Sequence, residues 1–135
     1  MVVITGAGSG IGQALAIQFA KEGCLVALND INAGYLAETK DMIDKFGGKA
    51  SIHLADISCR ESVQQFSMDV IKQYGRVELL INNAGVSLAR MDVQEIKWDY
   101  WEWMMNVNFW GTLHCTKIFY PHLEQQSEAH IVNIS

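Results

Sequence analysis

Proline is nearly missing from this chain: Pro121 is the only one in 135 residues. Few forced breaks therefore interrupt its helices and strands. Cysteine is scarce as well. Cys24, Cys59 and Cys115 stand far apart and odd in number, and no C-x-x-C pair or Cys/His cluster occurs. A disulfide framework and a zinc site are both excluded on that spacing, and three thiols in a reducing compartment are expected. None of the 4 histidines has a partner at metal-ligand spacing, so each reads as a solvated or core histidine and no metal is expected. Basic residues are the minority, 10 against 15 acidic ones, with a net charge of −5 and no basic run. That balance argues against a nucleic-acid surface. No charged leader and no long apolar stretch is present, so neither a signal peptide nor a membrane span is expected, and a cytoplasmic setting follows. Repeats, low-complexity segments and linker composition are also absent.

What remains is rich in apolar residues, 50% of the chain, enough for a core in a single domain over 1–135. Strand-like and helix-like patterns alternate throughout, which predicts a parallel sheet covered on both faces. A first strand ends in Thr5, and a helix follows with Ile11, Leu15 and Phe19 on one face. Gly23 stops it, and Leu25-Val26-Ala27-Leu28 reads as the second strand. Residues 33–46 read as a helix with Leu36, Ile43 and Phe46 inward. Residues 50–55 read as the third strand. Ser58 and Glu61 have capping-box spacing and open a helix burying Val63, Phe66, Val70 and Tyr74. Residues 77–81 form a nearly all-apolar fourth strand, as expected of a central one. After a longer connection over 85–97, a helix runs from about Trp98 to Leu123, and residues 129–135 make a fifth strand. Right-handed crossovers then give a Rossmann-type, doubly wound parallel sheet of order 3-2-1-4-5, with ligands expected outside the strand ends at the switch between strands 1 and 4.

The glycine turn after the first strand makes that expectation chemical. Backbone N–H groups and the positive end of a helix dipole hold a pyrophosphate without any lysine. The spacing is not G-x-G-x-x-G, because Ile11 follows Gly8 by three and Gln13 follows Gly10 by three. No Walker A lysine follows either. What fits is T-G-x-x-x-G-x-G, with Thr5, Gly6, Gly10 and Gly12. On this motif, and on Asn82-Asn83-Ala84-Gly85 after the fourth strand, the chain resembles the short-chain dehydrogenases/reductases. The T-G-x-x-G-x-x-G of the extended branch fails, since Ser9 occupies its second spaced glycine position.

The resemblance covers all 135 residues and implies an oxidoreductase that passes a hydride between a nicotinamide cofactor and an alcohol or ketone. The expected cofactor-binding residues are Gly6, Ser9, Gly10, Ile11, Gly12, Asp30, Asp56, Ile57, Asn83, Ala84 and Gly85. Asp30, at the tip of the second strand, has no arginine or lysine beside it, so it favours ribose hydroxyls and repels a 2′-phosphate. NAD is therefore expected over NADP. Asp56-Ile57 matches the family's adenine contact, although on its own the Asp56-Ile57-Ser58 stretch also reads as a turn and cap. Asn83, Ala84 and Gly85 are implied to line the cofactor ribose. Asn108, in Val107-Asn108-Phe109-Trp110-Gly111, matches V-N-x-x-G, and the resemblance gives it the catalytic helix asparagine's role, a backbone carbonyl on a proton-relay water. Asn106 stands two residues away as the fallback. Residues 86–96 would border a substrate pocket. Trp98, Trp101, Trp103 and Trp110, with Tyr100 and Phe109, exceed what one helix face buries, and the family uses this helix in a dimer interface. A homodimer or homotetramer of the full-length protein is expected.

One family feature is missing. The family reaction needs a tyrosine with a lysine four residues on, the lysine lowering the phenol's pKa. Here Tyr35 is followed at that distance by Thr39, Tyr74 by Glu78, Tyr100 by Met104 and Tyr120 by Glu124. Ile131-Val132-Asn133-Ile134-Ser135 matches I-V-N-I-S-S, whose second serine is the usual catalytic one, and Ser135 falls on the first. The chain is thus expected to be the cofactor half of a longer domain, truncated after strand five and inactive alone. The alternative expectation is a non-catalytic NAD-binding or regulatory module ending at Ser135.

Overall fold

A computed structural model describes residues 1–88 and 92–135. Strands β1 (Val2–Thr5), β2 (Leu25–Asp30), β3 (Lys49–Leu54), β4 (Leu79–Asn82) and β5 (His130–Asn133) alternate with helices α1 (Gly10–Lys21), α2 (Ala33–Asp44), α3 (Arg60–Tyr74), α4 (Trp98–Met105) and α5 (Thr112–Leu123). The strands form one parallel sheet of order β3-β2-β1-β4-β5. This is the expected doubly wound order. Apolar residues of β1, β2 and β4 alternate between two cores because successive side chains point to opposite faces. Val2, Ile4, Val26, Leu28 and Ile81 pack against α1 and α2 through Ala16, Ala20, Leu36 and Ile43. Val3, Ala27 and Leu80 pack on the other face with Val63, Phe66 and Val70 of α3 and Cys115, Phe119 and Leu123 of α5.

Three local expectations need correction. α1 buries Gly12, Ala16 and Ala20, with Leu15 and Phe19 partly buried against the same core, while Ile11 is 61% exposed. Small residues let this helix lie close on β1, a demand that outweighs the gain from burying bulkier apolar groups. Phe46 falls beyond the end of α2 and is exposed, with the Lys21 ammonium over its ring at 5.9 Å. Ser58 does not cap α3: Cys59 is the N-cap residue, and the Ser58 N–H and hydroxyl both donate to Asp56 Oδ1, at 2.9 and 2.7 Å. The short Asx turn at Asp56 outcompetes the capping box.

The long helix from Trp98 is one rod with a change of winding. Between α4 and α5, residues Asn106–Gly111 form a π-helical segment. Such insertions are rare and cluster at functional sites. Pro121 is accommodated inside the last turn of α5. No helix among the described residues is long and apolar enough to cross a membrane.

His53 makes the fold's stability depend on pH between neutral and mildly acidic conditions. It is buried on β3, with Nε2 2.7 Å from Ser51 Oγ and its ring 5.1 Å from Phe66. Burial pulls its pKa below the ordinary 6.5, and Asp69 only partly opposes this. The folded state therefore resists a proton that the unfolded chain accepts. Stability contributed by neutral His53 is complete above pH 6.5 and is lost as pH falls from there through the depressed folded value. Thermal melts from pH 7.5 to 5 are expected to show a falling midpoint, with a shallower slope for His53→Gln.

Candidate functional site

The carboxyl ends of the strands border a cleft of about 860 Å³. Nine of the expected residues meet on its lining: Gly6, Ser9, Ile11, Asp30, Asp56, Ile57, Asn83, Ala84 and Gly85. Gly10, Gly12 and Asn108 do not line it. No lysine, arginine or histidine lines it either, among the described residues. An anion there is met by no cationic side chain, which leaves backbone N–H groups, helix dipoles and neutral side-chain donors.

The turn from β1 to α1 supplies them. Gly6 has φ +64° and Gly10 φ +56°, conformations that cost side-chain-bearing residues. At the helix start, Ser9 is the N-cap and its side chain makes no capping bond. The first-turn N–H groups, orphans in any helix, therefore remain uncapped by it. Gly12 stands behind the turn. A Cβ there would lie 2.1 Å from the Gly6 carbonyl oxygen and 2.5 Å from Asn83 Nδ2. Its glycine requirement comes from helix–strand packing, not from lining the cleft.

The opposite wall is braced against β1. The Asn83 side-chain amide donates to the carbonyls of Thr5 and Gly6, at 3.0 and 3.2 Å. Thr5 Oγ1, fully buried, accepts the N–H groups of Asn83 and Ala84, at 3.0 and 3.1 Å. This holds the chain after β4 so close that a Cβ on Gly6 would meet Ala84 Cα at 2.8 Å. Asn82 points away, its amide donating to Thr116 Oγ1 and Asn133 Oδ1.

At the tip of β2, Asp30 is half-buried. Its Oδ2 accepts the Gly8 N–H at 3.1 Å and its Oδ1 the Asn32 N–H at 3.0 Å. Each oxygen keeps a free lone-pair direction, so the carboxylate is oriented and still able to accept from a ligand. Asp56 lies exposed on the lining with Oδ1 occupied by Ser58. Ile57 is fixed from behind by Gly111, where a Cβ would come within 2.6 Å of Ile57 Cδ1, and by His114, whose Nδ1 is 3.0 Å from the Ile57 carbonyl.

Asn108 sits in the π-helical segment and clamps the loop after β4. Its Oδ1 accepts the Val86 N–H and its Nδ2 donates to the Val86 carbonyl, both at 2.8 Å, while its own carbonyl accepts from Thr112 Oγ1 at 2.9 Å. Asn108, not Asn106, is therefore the asparagine tied to the cleft wall. Of the segment expected to border a substrate pocket, Val86 lines the cleft and residues 89–91 lie outside the described residues.

Sequence reasoning missed the segment from the end of β2 into the first turn of α2. Ile31, Asn32, Ala33, Gly34 and Tyr35 also line the cleft, as does Asn29. The signal was present: α2 begins three residues after Asp30, so its N-terminus must face the same ligand.

The family model for short chain dehydrogenase matches residues 1–135. This chain belongs to the short chain dehydrogenase family. It is similar to the putative oxidoreductase SadH of Mycobacterium tuberculosis, 38% identical over 100% of this chain and 49% of SadH. The 3-oxoacyl-acyl-carrier-protein reductase FabG of Thermotoga maritima is 32% identical over 98% of this chain and 54% of its own length. Among solved structures, a metagenomic short-chain oxidoreductase in complex with NADP superposes with a TM-score of 0.94 at 31% identity, covering 100% of this chain and 62% of that one. A short chain dehydrogenase/reductase from Burkholderia phymatum in complex with NAD gives 0.92 at 38%, covering 98% and 47%. The chain spans about half the length of the curated relatives it matches.

Proposed function

We propose that this chain is the NAD-binding portion of an oxidoreductase acting on an alcohol or carbonyl substrate. The cleft's construction supports a dinucleotide. Backbone approaches it from both sides where Gly6 meets Ala84, and uncapped helix N–H groups face an anion with no competing cation. Residues of the glycine turn, Gly6 and Ser9 to Gly12, would hold the diphosphate directly or by packing. Asp30 would take the adenosine ribose, Asp56 and Ile57 the adenine, and Asn83, Ala84 and Gly85 the second ribose. When bound, the nicotinamide accepts or supplies the hydride. Asn108, through its grip on Val86 and its place in the π-helical segment, would set the substrate-side wall and the proton path. No tyrosine here has a lysine four residues on, so this polypeptide is expected to bind without turnover. The exposed aromatics Trp98, Trp101, Trp103, Phe109 and Trp110 support self-association of the full-length protein through α4 and α5.

The orientation of Asp30 carries the preference for NAD. A carboxylate held by two backbone N–H groups has no freedom to swing from a 2′-phosphate, and no cation among the described residues lines the cleft to neutralise one. In calorimetric titrations, NAD is expected to bind at least about ten-fold more tightly than NADP, equivalent to about 1.4 kcal/mol. Equal or tighter NADP binding overturns the assignment.

A further inference from the structure

The outer side of the glycine turn is gripped by two side chains that have no part in the proposed cofactor contacts. Thr39 on α2 is fully buried, and its hydroxyl lies 3.0 Å from the Ala7 carbonyl, 3.3 Å from that of Gly8 and 3.1 Å from that of Tyr35. A mid-helix threonine satisfies its hydroxyl on the carbonyl four residues back; this one has a single proton for three carbonyls, and that of Ala7, on another element, is the nearest. Gln13 on α1 completes the group, its Nε2 donating to Thr39 Oγ1 at 2.9 Å and to the Gly8 carbonyl at 3.2 Å.

The two carbonyls matter because of what lies across their peptide bonds. All peptides of the described chain are trans, so each carbonyl and the following N–H point in opposite directions. Fixing the Ala7 carbonyl on Thr39 aims the Gly8 N–H the other way, where it meets Asp30 Oδ2 at 3.1 Å. Fixing the Gly8 carbonyl on Gln13 aims the Ser9 N–H the opposite way, and Ser9 lines the cleft. One anchored peptide orients the carboxylate and the next fixes the Ser9 peptide at the cleft lining.

We propose that Thr39 and Gln13 are positioning residues for the dinucleotide. Thr39 sets the Asp30 carboxylate through the Ala7 carbonyl and, as acceptor of the Gln13 amide, holds the side chain that sets the Ser9 N–H, while Gln13 sets the Ser9 N–H alone. The proposal rests on the assignment of the cleft to a dinucleotide. It makes the diphosphate and ribose ends of the site one mechanical unit, joined through a buried hydroxyl.

Titrations of the whole chain with NAD and with adenosine, well below the melting temperature, separate the two limbs. Gln13→Leu is expected to weaken NAD about ten-fold and leave adenosine within about two-fold, since only the diphosphate donor is loosened. Thr39→Val is expected to weaken both by about ten-fold, and Thr39→Ser, which keeps the hydroxyl, to restore both. A lowered melting temperature with unchanged dissociation constants would reduce the pair to structural supports and overturn the proposal. Equal losses in Thr39→Ser and Thr39→Val would do the same, by tracing the effect to packing. Wild-type chain that binds no NAD at all strikes the dinucleotide assignment instead.

Discussion

Gly12→Ala is expected to be the most damaging single methyl that α1 could receive. The added carbon would stand 2.1 Å from the Gly6 carbonyl oxygen and 2.5 Å from Asn83 Nδ2. Neither neighbour is free to yield. Gly6 is locked in a left-handed conformation at φ +64°, and the Asn83 amide is spent on the carbonyls of Thr5 and Gly6. Relief requires α1 to lift from β1, which separates Ala16 and Ala20 from the core they share with Val2 and Ile4. Overpacking against fixed backbone, with broken hydrogen bonds, puts the loss at about 3 kcal/mol or more. For a domain of this size, that lowers the melting midpoint by about 10 °C or more. Gly10→Ala provides the control. A Cβ there meets nothing within 4 Å, and only the φ of +56° opposes it, a cost of about 1 kcal/mol. Thermal unfolding followed by circular dichroism tests the ranking. Equal losses in the two variants would show that Gly12 is not a packing contact.

That contrast also marks where sequence reading stops. The strand, glycine turn and helix at the N-terminus, the order of the sheet and the polar residues ending each strand were all legible, because periodicity and turn chemistry are local. Asp30, Asp56 and Asn83 share one cleft for a topological reason: parallel strands bring their carboxyl ends to one edge. What the glycines do individually was not legible. Gly6, Gly10 and Gly12 belong to one motif, yet Gly6 serves a turn and a close crossing, Gly10 only a turn, and Gly12 only a packing contact. Ile11 was misplaced on the inward face of α1 because apolar size normally predicts burial, while here a close helix–strand approach gives the innermost positions to alanine and glycine. The Asn108–Val86 clamp and the Gln13–Thr39 grip join partners 22 and 26 residues apart, and no periodicity encodes them.

Asp30→Ala is expected to have the largest effect on ligand choice. In the proposed complex its carboxylate accepts from the hydroxyls of the adenosine ribose, and hydrogen bonds to a charged partner contribute about 1.5–3 kcal/mol each. The half-exposed position moderates this, so NAD affinity should fall by about one to two orders of magnitude. NADP should fall far less, because the same substitution removes the charge opposing its 2′-phosphate, and the preference for NAD should shrink at least about ten-fold. The Gly8 and Asn32 N–H groups lose their acceptor in this variant, so a loosened turn adds its own share to the loss. Asp30→Asn separates the two contributions. It keeps an oxygen for one backbone N–H and abolishes the charge, so it should retain the wild-type melting temperature more closely while losing the discrimination. Parallel titrations of both variants with NAD and NADP measure the ratio. If that ratio stays at its wild-type value in both, the carboxylate has no part in choosing the cofactor, and the choice lies with the segment leading into α2 and its first turn, residues 31–35, which share the same lining.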